Sequence, residues 1–575
     1  MNYRDVYEQW MNNPFFDEAT KAELRGLEGN ETEIQDRFYK DLEFGTAGLR
    51  GIIGAGTNRM NAYIVARATQ GLAEVIKSEG QAFMDRGVAI AYDCRHFSHV
   101  FSKTAALVLA GNGIKAYLFE DLRPTPELSF AVRHLNCGAG IVVTASHNPQ
   151  EYNGYKAYWE DGAQILPEIA DVVTEEILKI TDFESIPMAD ETEALASGLL
   201  VMIGKEIDDI YINKVKALSL RDAELDKSLK IVYTPLNGAG NVPVRRILAE
   251  RGFADVTVVP EQEMPDPDFT TVGYPNPEDT KAFAYAERLG KEIGADLLIA
   301  TDPDCDRLAV EVINKEGGYT ALNGNQTGAI LVQYLLESYT ELGTMPENPA
   351  IVKSIVTGDL AKVIAEGYGV KTFEALTGFK NICSWASIWE ESKEQTFVFG
   401  YEESIGFLAG DFVRDKDAVN AAMFLAEAAA YYRTKGKTLL DILEDIFVKH
   451  GTYRERQVAL VLEGIEGAAR INRMMTSYRA NYPSVVGGIK LLAATDYAVQ
   501  KRTIAQTGKI ESVEIPPTNG LKFEMEGDSW YALRPSGTEP KIKLYLYSRA
   551  ENAAEAEAKL DQLAEGVLTE LHAVE

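Results

Sequence analysis

The 575-residue chain has only four cysteines, scattered as Cys94, Cys137, Cys305 and Cys383. None forms a CxxC pair, so neither a disulfide framework nor a cysteine zinc site is expected, and a reducing compartment fits. The six histidines make no metal-ligand constellation. No run of about 18 apolar residues occurs, so no membrane-spanning helix is expected. The opening MNYRDVYEQW lacks the basic-then-apolar order of a signal peptide. Positive charge is also short: 57 Lys and Arg face 87 Asp and Glu, a formal net charge of −30. Such a field repels nucleic acid and anionic membranes. A soluble cytoplasmic protein is expected, in which any anionic small ligand needs a local cationic cluster. Nothing in the sequence sets an oligomeric state.

What the chain does contain is an ordinary globular balance, 46% hydrophobic and 25% charged residues. Its length exceeds what one core supports, so several domains are expected. Short apolar, β-branched runs end in Gly, Asp, Ser or Thr, with helical stretches between them, which argues for α/β units with parallel sheets. The order recurs three times. VAIAYD (88–93), KAYLFE (115–120) and IVVTAS (141–146) come first; KIVYTP (230–235), VTVVP (256–260) and LLIATD (297–302) follow; AIVKSIV (350–356), VKTFEA (370–375) and TFVFGY (396–401) come last. Each third run leads into an unusual polar sequence. Ligands in open α/β sheets bind beyond the carboxyl ends of strands, so three strand ends point to three pieces of one site. Beyond about residue 452 the character changes to alternating strands, with Ile542, Leu544 and Leu546 on one face, and an amphipathic helix near Ala553–Leu571. The boundaries read as 1–205, 206–322, 323–452 and 453–575.

TASHNPQEYNGYK (144–156) places Ser146 at the end of a buried strand that Pro149 cannot continue. The hydroxyl could carry a phosphoryl group or simply cap a polar turn. His147 beside it could orient a phosphoryl oxygen or cap the same turn. TDPDCDR (301–307) sets Asp302, Asp304 and Asp306 after a buried strand. Three carboxylates this close repel unless a cation holds them, and oxygen-only ligation suits Mg²⁺ or Ca²⁺. The EF-hand pattern fails, because Arg307 and Ile313 stand where it needs Gly and Glu. FGYEESIG (399–406) offers Glu402, Glu403 and Ser404 for polyol recognition, or an acidic helix start. RDKD (414–417) is by itself a charge cluster. RPSGTEPKIK (534–543) combines Arg, Ser, Gly, Thr and Lys as a phosphate clamp would, on what is also a Pro-Gly turn. FGTAGLRG (44–51) holds Arg50 on a glycine-rich loop, and TGFKN (377–381) holds Lys380.

Together and in this order, these motifs resemble the α-D-phosphohexomutase superfamily over nearly the whole chain, nearest the phosphoglucomutase/phosphopentomutase branch and its bacterial α-phosphoglucomutases. The resemblance implies three related α/β domains with mixed, mostly parallel sheets and a smaller C-terminal α+β domain around a central cleft. It implies a phosphorylated Ser146, a metal site of Asp302, Asp304, Asp306 and a phosphoserine oxygen, and Arg307 and Arg50 beside that phosphoryl group. Lys156 becomes the general acid/base, and His147, placed to orient a phosphoryl oxygen, is counted with Ser146, Lys156, Arg50 and Arg307 among the catalytic residues. Glu402 and Ser404 grip sugar hydroxyls. Arg534, Ser536, Gly537 and Thr538 clamp the non-reacting phosphate, and Lys380, Arg414 and Lys416 line the distal cleft. Cys305 replaces a residue commonly Gly or Ala, and Asn237 replaces a frequent His. The implied activity is interconversion of glucose 1-phosphate and glucose 6-phosphate with Mg²⁺ and glucose 1,6-bisphosphate. A phosphopentomutase is the alternative, with phosphomannomutase, a serine/metal phosphatase or a non-catalytic sugar-phosphate sensor behind it.

Overall fold

The computed structural model describes residues 2–45, 48–462, 464–536 and 541–574. All nine apolar runs of the threefold pattern are strands. In the first unit Val88–Tyr92 pairs in parallel with Ala116–Phe119 on one side and Ala139–Val143 on the other. In the second, Ile231–Thr234 lies between Val256–Val258 and Leu297–Thr301, and in the third Pro349–Ser354 lies between Lys371–Ala375 and Thr396–Glu402. In every unit the first strand is central, and the third strand takes one further antiparallel neighbour: Tyr152–Trp159, Leu308–Ile313 and Gly406–Ala409 respectively. The recurring order is therefore a recurring topology.

Helices cover both faces of these sheets, which explains why the central strands read as continuous apolar runs and not as alternations. Val88–Tyr92, Ala139–Val143 and Leu297–Thr301 are buried at every residue. One apolar cluster runs through the second and third units and takes in Phe119, Leu128 and Tyr158 of the first. The three sheets thus share a core, which fixes the loops at their strand ends relative to one another.

After the helix Leu439–His450 the chain forms an antiparallel sheet with its own core, in which Ile542, Leu544 and Leu546 pack with Met474, Met475 and the helix Ala553–His572. The opposite face, with Tyr453, Trp530 and Tyr547, meets the third unit.

The first forty residues carry no strand pattern and form three short helices, Tyr3–Asn12, Glu18–Arg25 and Glu31–Phe38, started by Asn2, Asp17 and Asn30 as N-caps. Trp10, Phe16, Leu24, Ile34 and Phe38 give them a small aromatic core. They grip the segment beyond Arg50. Glu23 accepts the Ala55 N–H at 3.2 Å, Arg37 donates to the Ala55 carbonyl at 3.1 Å, and the Arg37 carbonyl accepts the Asn58 N–H at 2.9 Å.

Glu311, in the strand Leu308–Ile313, is 3% exposed, and its Oε2 has no hydrogen-bond partner among the described residues. Burial, helped by Glu287, pushes its carboxyl up to about 7. The folded state then binds a proton that the unfolded chain releases near its ordinary value of about 4.3. Stability attributable to this group is full below that value, falls as pH rises, and is gone above about 7. Glu311→Gln should therefore unfold at a higher temperature than the parent at pH 8, by on the order of 1 kcal/mol, and match it near pH 4. Thermal unfolding at both pH values checks this; equal midpoints at pH 8 would refute it.

Candidate active site

Ser146 follows the strand Ala139–Val143 in the left-handed region, at φ 51°. A bulky backbone turn of this kind persists only where neighbours hold it. The Ser146 N–H donates to Thr144 Oγ1 at 2.8 Å, and that hydroxyl donates to Asp93 Oδ2 at 2.7 Å. Ser146 Oγ in turn donates to Asp302 Oδ2 at 2.7 Å and lies 3.2 Å from His147 Nδ1. The strand end of the first unit thus meets the strand end of the second.

The loop after Leu297–Thr301 wraps around Asp302, whose Oδ1 accepts the N–H groups of Asp306 at 3.1 Å and Arg307 at 3.0 Å. Cys305 takes φ 54°, a conformation in which glycine carries no penalty. The stretch TPLNGAG packs beneath this loop so closely that a Cβ on Gly238 would sit 2.4 Å from Pro303 Cα. Asn237 turns away from the loop and donates to the Met264 carbonyl at 2.7 Å, a structural tie.

Asp302, Asp304 and Asp306 offer carboxylate oxygens within 4.8 Å of one another, all buried. Oδ1 of Asp304 and Oδ1 of Asp306 have no hydrogen-bond partner among the described residues. Orphaned, buried, all-oxygen donors fit a hard divalent cation and suit zinc or copper poorly. Two lysines balance the charge. Lys156 Nζ lies 2.6 Å from Asp304 Oδ2 and 3.3 Å from Asp306 Oδ2, and Lys416 Nζ lies 3.1 Å from Asp306 Oδ2 and 3.2 Å from Asp415. Burial opposes the charge on both lysines, yet the carboxylates raise both above the ordinary value. Burial, with repulsion from Asp304 and Asp306, pushes Asp302 well up, whereas Lys156 overcomes burial and holds Asp304 down. His147 is driven down to about 2 by burial and then by Arg307 and Arg50, so its imidazole is neutral.

Arg50 reaches the cleft from the strand Leu49–Ile52 and donates to Asn148 Oδ1 at 3.2 Å. Arg307 donates to the Ser404 carbonyl at 3.4 Å and lies 3.6 Å from Glu278. In the third unit Glu402 accepts the Gly378 N–H at 2.7 Å, and Glu403 accepts Thr357 Oγ1 at 2.8 Å. Burial, followed by Glu403, raises the Glu402 carboxyl. Lys380 bridges to the first unit through the Ile165 carbonyl at 3.1 Å, and burial lowers it to about 8. From the C-terminal unit, Arg534, Lys541 and Lys543 face the others across a cavity of about 820 Å³ that also touches Ser146, Asp306, Glu402, Ser404 and Lys416. Ser536 joins its two strands by donating its N–H to the Lys541 carbonyl at 2.8 Å. Gly537 and Thr538 lie outside the described residues.

One expectation is corrected. Arg414 does not line the cleft. It is fully buried, paired with Glu390 at 2.7 Å and Ser387 at 3.2 Å, and its N–H donates to Ser129 Oγ, so it is a strut between the first and third units. Several contributors were not singled out as site residues in the sequence. Thr125 binds Asp304 through both hydroxyl and backbone N–H at 2.9 Å, Asp415 holds Lys416, and Glu278 faces Arg307. Only Asp415 had a signal, in the RDKD cluster.

Four family models match the chain in order: phosphoglucomutase/phosphomannomutase alpha/beta/alpha domain I at residues 41–184, domain II at 209–315, domain III at 323–450 and the C-terminal domain at 493–565. A phosphoglucomutase from Staphylococcus epidermidis is 39% identical over 93% of this chain and 96% of its own, and one from Staphylococcus aureus strain USA300 is 35% identical over 93% and 94%. Among solved structures, the open form of parafusin from Paramecium superposes with a TM-score of 0.68 at 17% identity, covering 93% of this chain and 95% of that one. A phosphoglucomutase/phosphomannomutase family protein from Burkholderia thailandensis gives 0.65 at 18%, covering 92% and 97%.

If the triad holds a divalent cation, Asp304→Asn should weaken Mn²⁺ binding at least about tenfold in a calorimetric or paramagnetic titration. Unchanged affinity would put the ion elsewhere.

Proposed function

We propose that the chain, which belongs to the phosphoglucomutase/phosphomannomutase family, interconverts α-D-glucose 1-phosphate and glucose 6-phosphate through a phosphorylated Ser146. The observation that carries this is the 2.7 Å contact between Ser146 Oγ and Asp302 Oδ2, which seats a hydroxyl on the edge of a buried triad of carboxylates at the head of the cleft. The relatives at 35–39% identity that bear the name phosphoglucomutase support glucose as the sugar.

In the proposed cycle O6 of glucose 1-phosphate attacks the phosphorus of phospho-Ser146. The O6–P bond forms, the Oγ–P bond breaks, and glucose 1,6-bisphosphate results. Lys156, protonated between Asp304 and Asp306, donates its proton to the departing Oγ as it takes the proton from O6. The bisphosphate reverses in the cleft, its 1-phosphate returns to Ser146 by the same exchange, and glucose 6-phosphate leaves. Asp302, Asp304, Asp306 and an oxygen of phospho-Ser146 would hold Mg²⁺, which supplies charge neutralisation for the transferring phosphoryl group. Arg307 and Arg50 are assigned to that same group. Glu402 and Ser404 are assigned to the sugar hydroxyls, and Arg534 and Ser536, with Gly537 and Thr538, to the phosphate that does not react. Neutral His147 serves as a hydrogen-bonding neighbour and not as an acid. Water must be kept from phospho-Ser146, since its attack would make the protein a phosphatase. Glucose 1,6-bisphosphate is expected to restore the phosphoserine when it is lost. We place the enzyme in the cytoplasm on its free cysteines, and no described helix is long and apolar enough to cross a membrane.

Ser146→Ala should lower turnover of glucose 1-phosphate at least about 1000-fold while sparing most sugar-phosphate binding; full activity would sink the mechanism. A panel of sugar 1-phosphates supplied with Mg²⁺ and glucose 1,6-bisphosphate should give the highest kcat/KM with glucose. A preference for ribose 1-phosphate would identify a phosphopentomutase.

A further inference from the structure

The segment AYDCRHFS (91–98) has no part in the chemistry above, yet its arginine is enclosed by the serine turn. Arg95 is 3% exposed. Its Nη2 donates to the carbonyl oxygens of Ser146, at 2.6 Å, and Asn148. Its Nη1 donates to those of Pro149 at 2.8 Å and Tyr152 at 3.1 Å. Four carbonyls of one seven-residue turn therefore converge on one guanidinium. Asp93 completes the arrangement. One of its oxygens accepts the Arg95 N–H at 3.0 Å, and the other lies 3.2 Å from Nε. That second oxygen also accepts the Thr144 hydroxyl that holds the Ser146 N–H. On the open side, the ring of buried Phe269, from the second unit, lies with its centroid 5.0 Å from the guanidinium carbon.

Carbonyl dipoles aimed at one point repel unless a donor occupies that point, and each would otherwise be a buried acceptor without a partner. A planar fork with five donors fits four carbonyls at once. A lysine ammonium has three donors on a compact head and cannot span them. We propose that Arg95 is the positioning residue for the reaction: its guanidinium is the template on which turn 146–152 is shaped, and Phe269 ties that template to the unit carrying the aspartates. It thereby keeps Ser146 Oγ in register with Asp302. The inference rests on the reading of Ser146 as the phosphoryl carrier.

The test is Arg95→Lys, followed by steady-state kinetics and by hydrogen exchange resolved to peptides. Expected is a fall in kcat of about 100-fold with KM for glucose 1-phosphate within about threefold, as a misplaced but still accessible nucleophile gives. Amide exchange over 146–152 should rise at least about tenfold, with the strands of the sheets unchanged. A kcat within about twofold of the parent, or unchanged exchange over the turn, overturns the proposal. Exchange does not depend on mutase activity, so failure of the proposed function would show as an inactive parent with the turn still loosened by the substitution. Should Arg95→Lys not fold, Phe269→Leu keeps the guanidinium and removes only the ring. It should lower kcat about threefold to tenfold at constant KM, and an unchanged kcat would overturn the tie to the second unit.

Discussion

Three buried carboxylates with oxygens within 4.8 Å of one another cannot coexist unless charge is brought to them. Much of the architecture is an answer to that constraint. The first unit contributes Lys156, Thr125 and the Ser146 hydroxyl; the third contributes Lys416, steadied by Asp415, whose other oxygen accepts the Tyr158 hydroxyl of the first unit at 2.8 Å. Apart from the pairing of Lys416 with its neighbour Asp415, each of these contacts crosses a boundary between units. The acidic loop is thus the place where independent α/β units acquire a fixed mutual geometry, and the apolar cluster they share makes that geometry rigid.

The C-terminal unit differs. Its sheet and helices have their own core, and it meets the rest of the chain mainly through one sheet face. That face, with Tyr453, Trp530 and Tyr547, belongs to the same apolar cluster that joins the other units, and the first unit likewise keeps a second core of its own. The cleft lies between this face and the other three units, lined by Arg534, Lys541 and Lys543 on one side and by Ser146, Asp306 and Glu402 on the other.

Much of this was legible in the sequence because fully buried parallel strands leave an unbroken apolar signature. All nine runs were strands, the outer Val256–Val258 and Lys371–Ala375 only partly buried, and their order in the chain became one order in space, repeated three times. The polar strings after the third runs were legible for the same reason, since they begin where the apolar signature stops. What the sequence hid were side-chain directions. Arg414 and Lys416 stand two positions apart in one charge cluster, and only packing sends one to Glu390 and the other to Asp306. Thr125 and Arg95 lie in ordinary contexts, and their partners are distant in the chain or are backbone carbonyls without a residue-type signal. The three helices ahead of Arg50 have amphipathic faces too short to separate from a loop.

The thrice-used topology has a further consequence for how such a protein can change. The scaffolds are alike, and what distinguishes them is a loop of a few residues at the end of the third strand: a hydroxyl turn, a carboxylate turn, a pair of glutamates. Chemical identity is therefore carried by a very small fraction of the chain, physically separated from the residues that secure folding. A lineage built on this plan can revise what its cleft recognises by rewriting one short segment, while the other two segments and all three sheets continue unaltered.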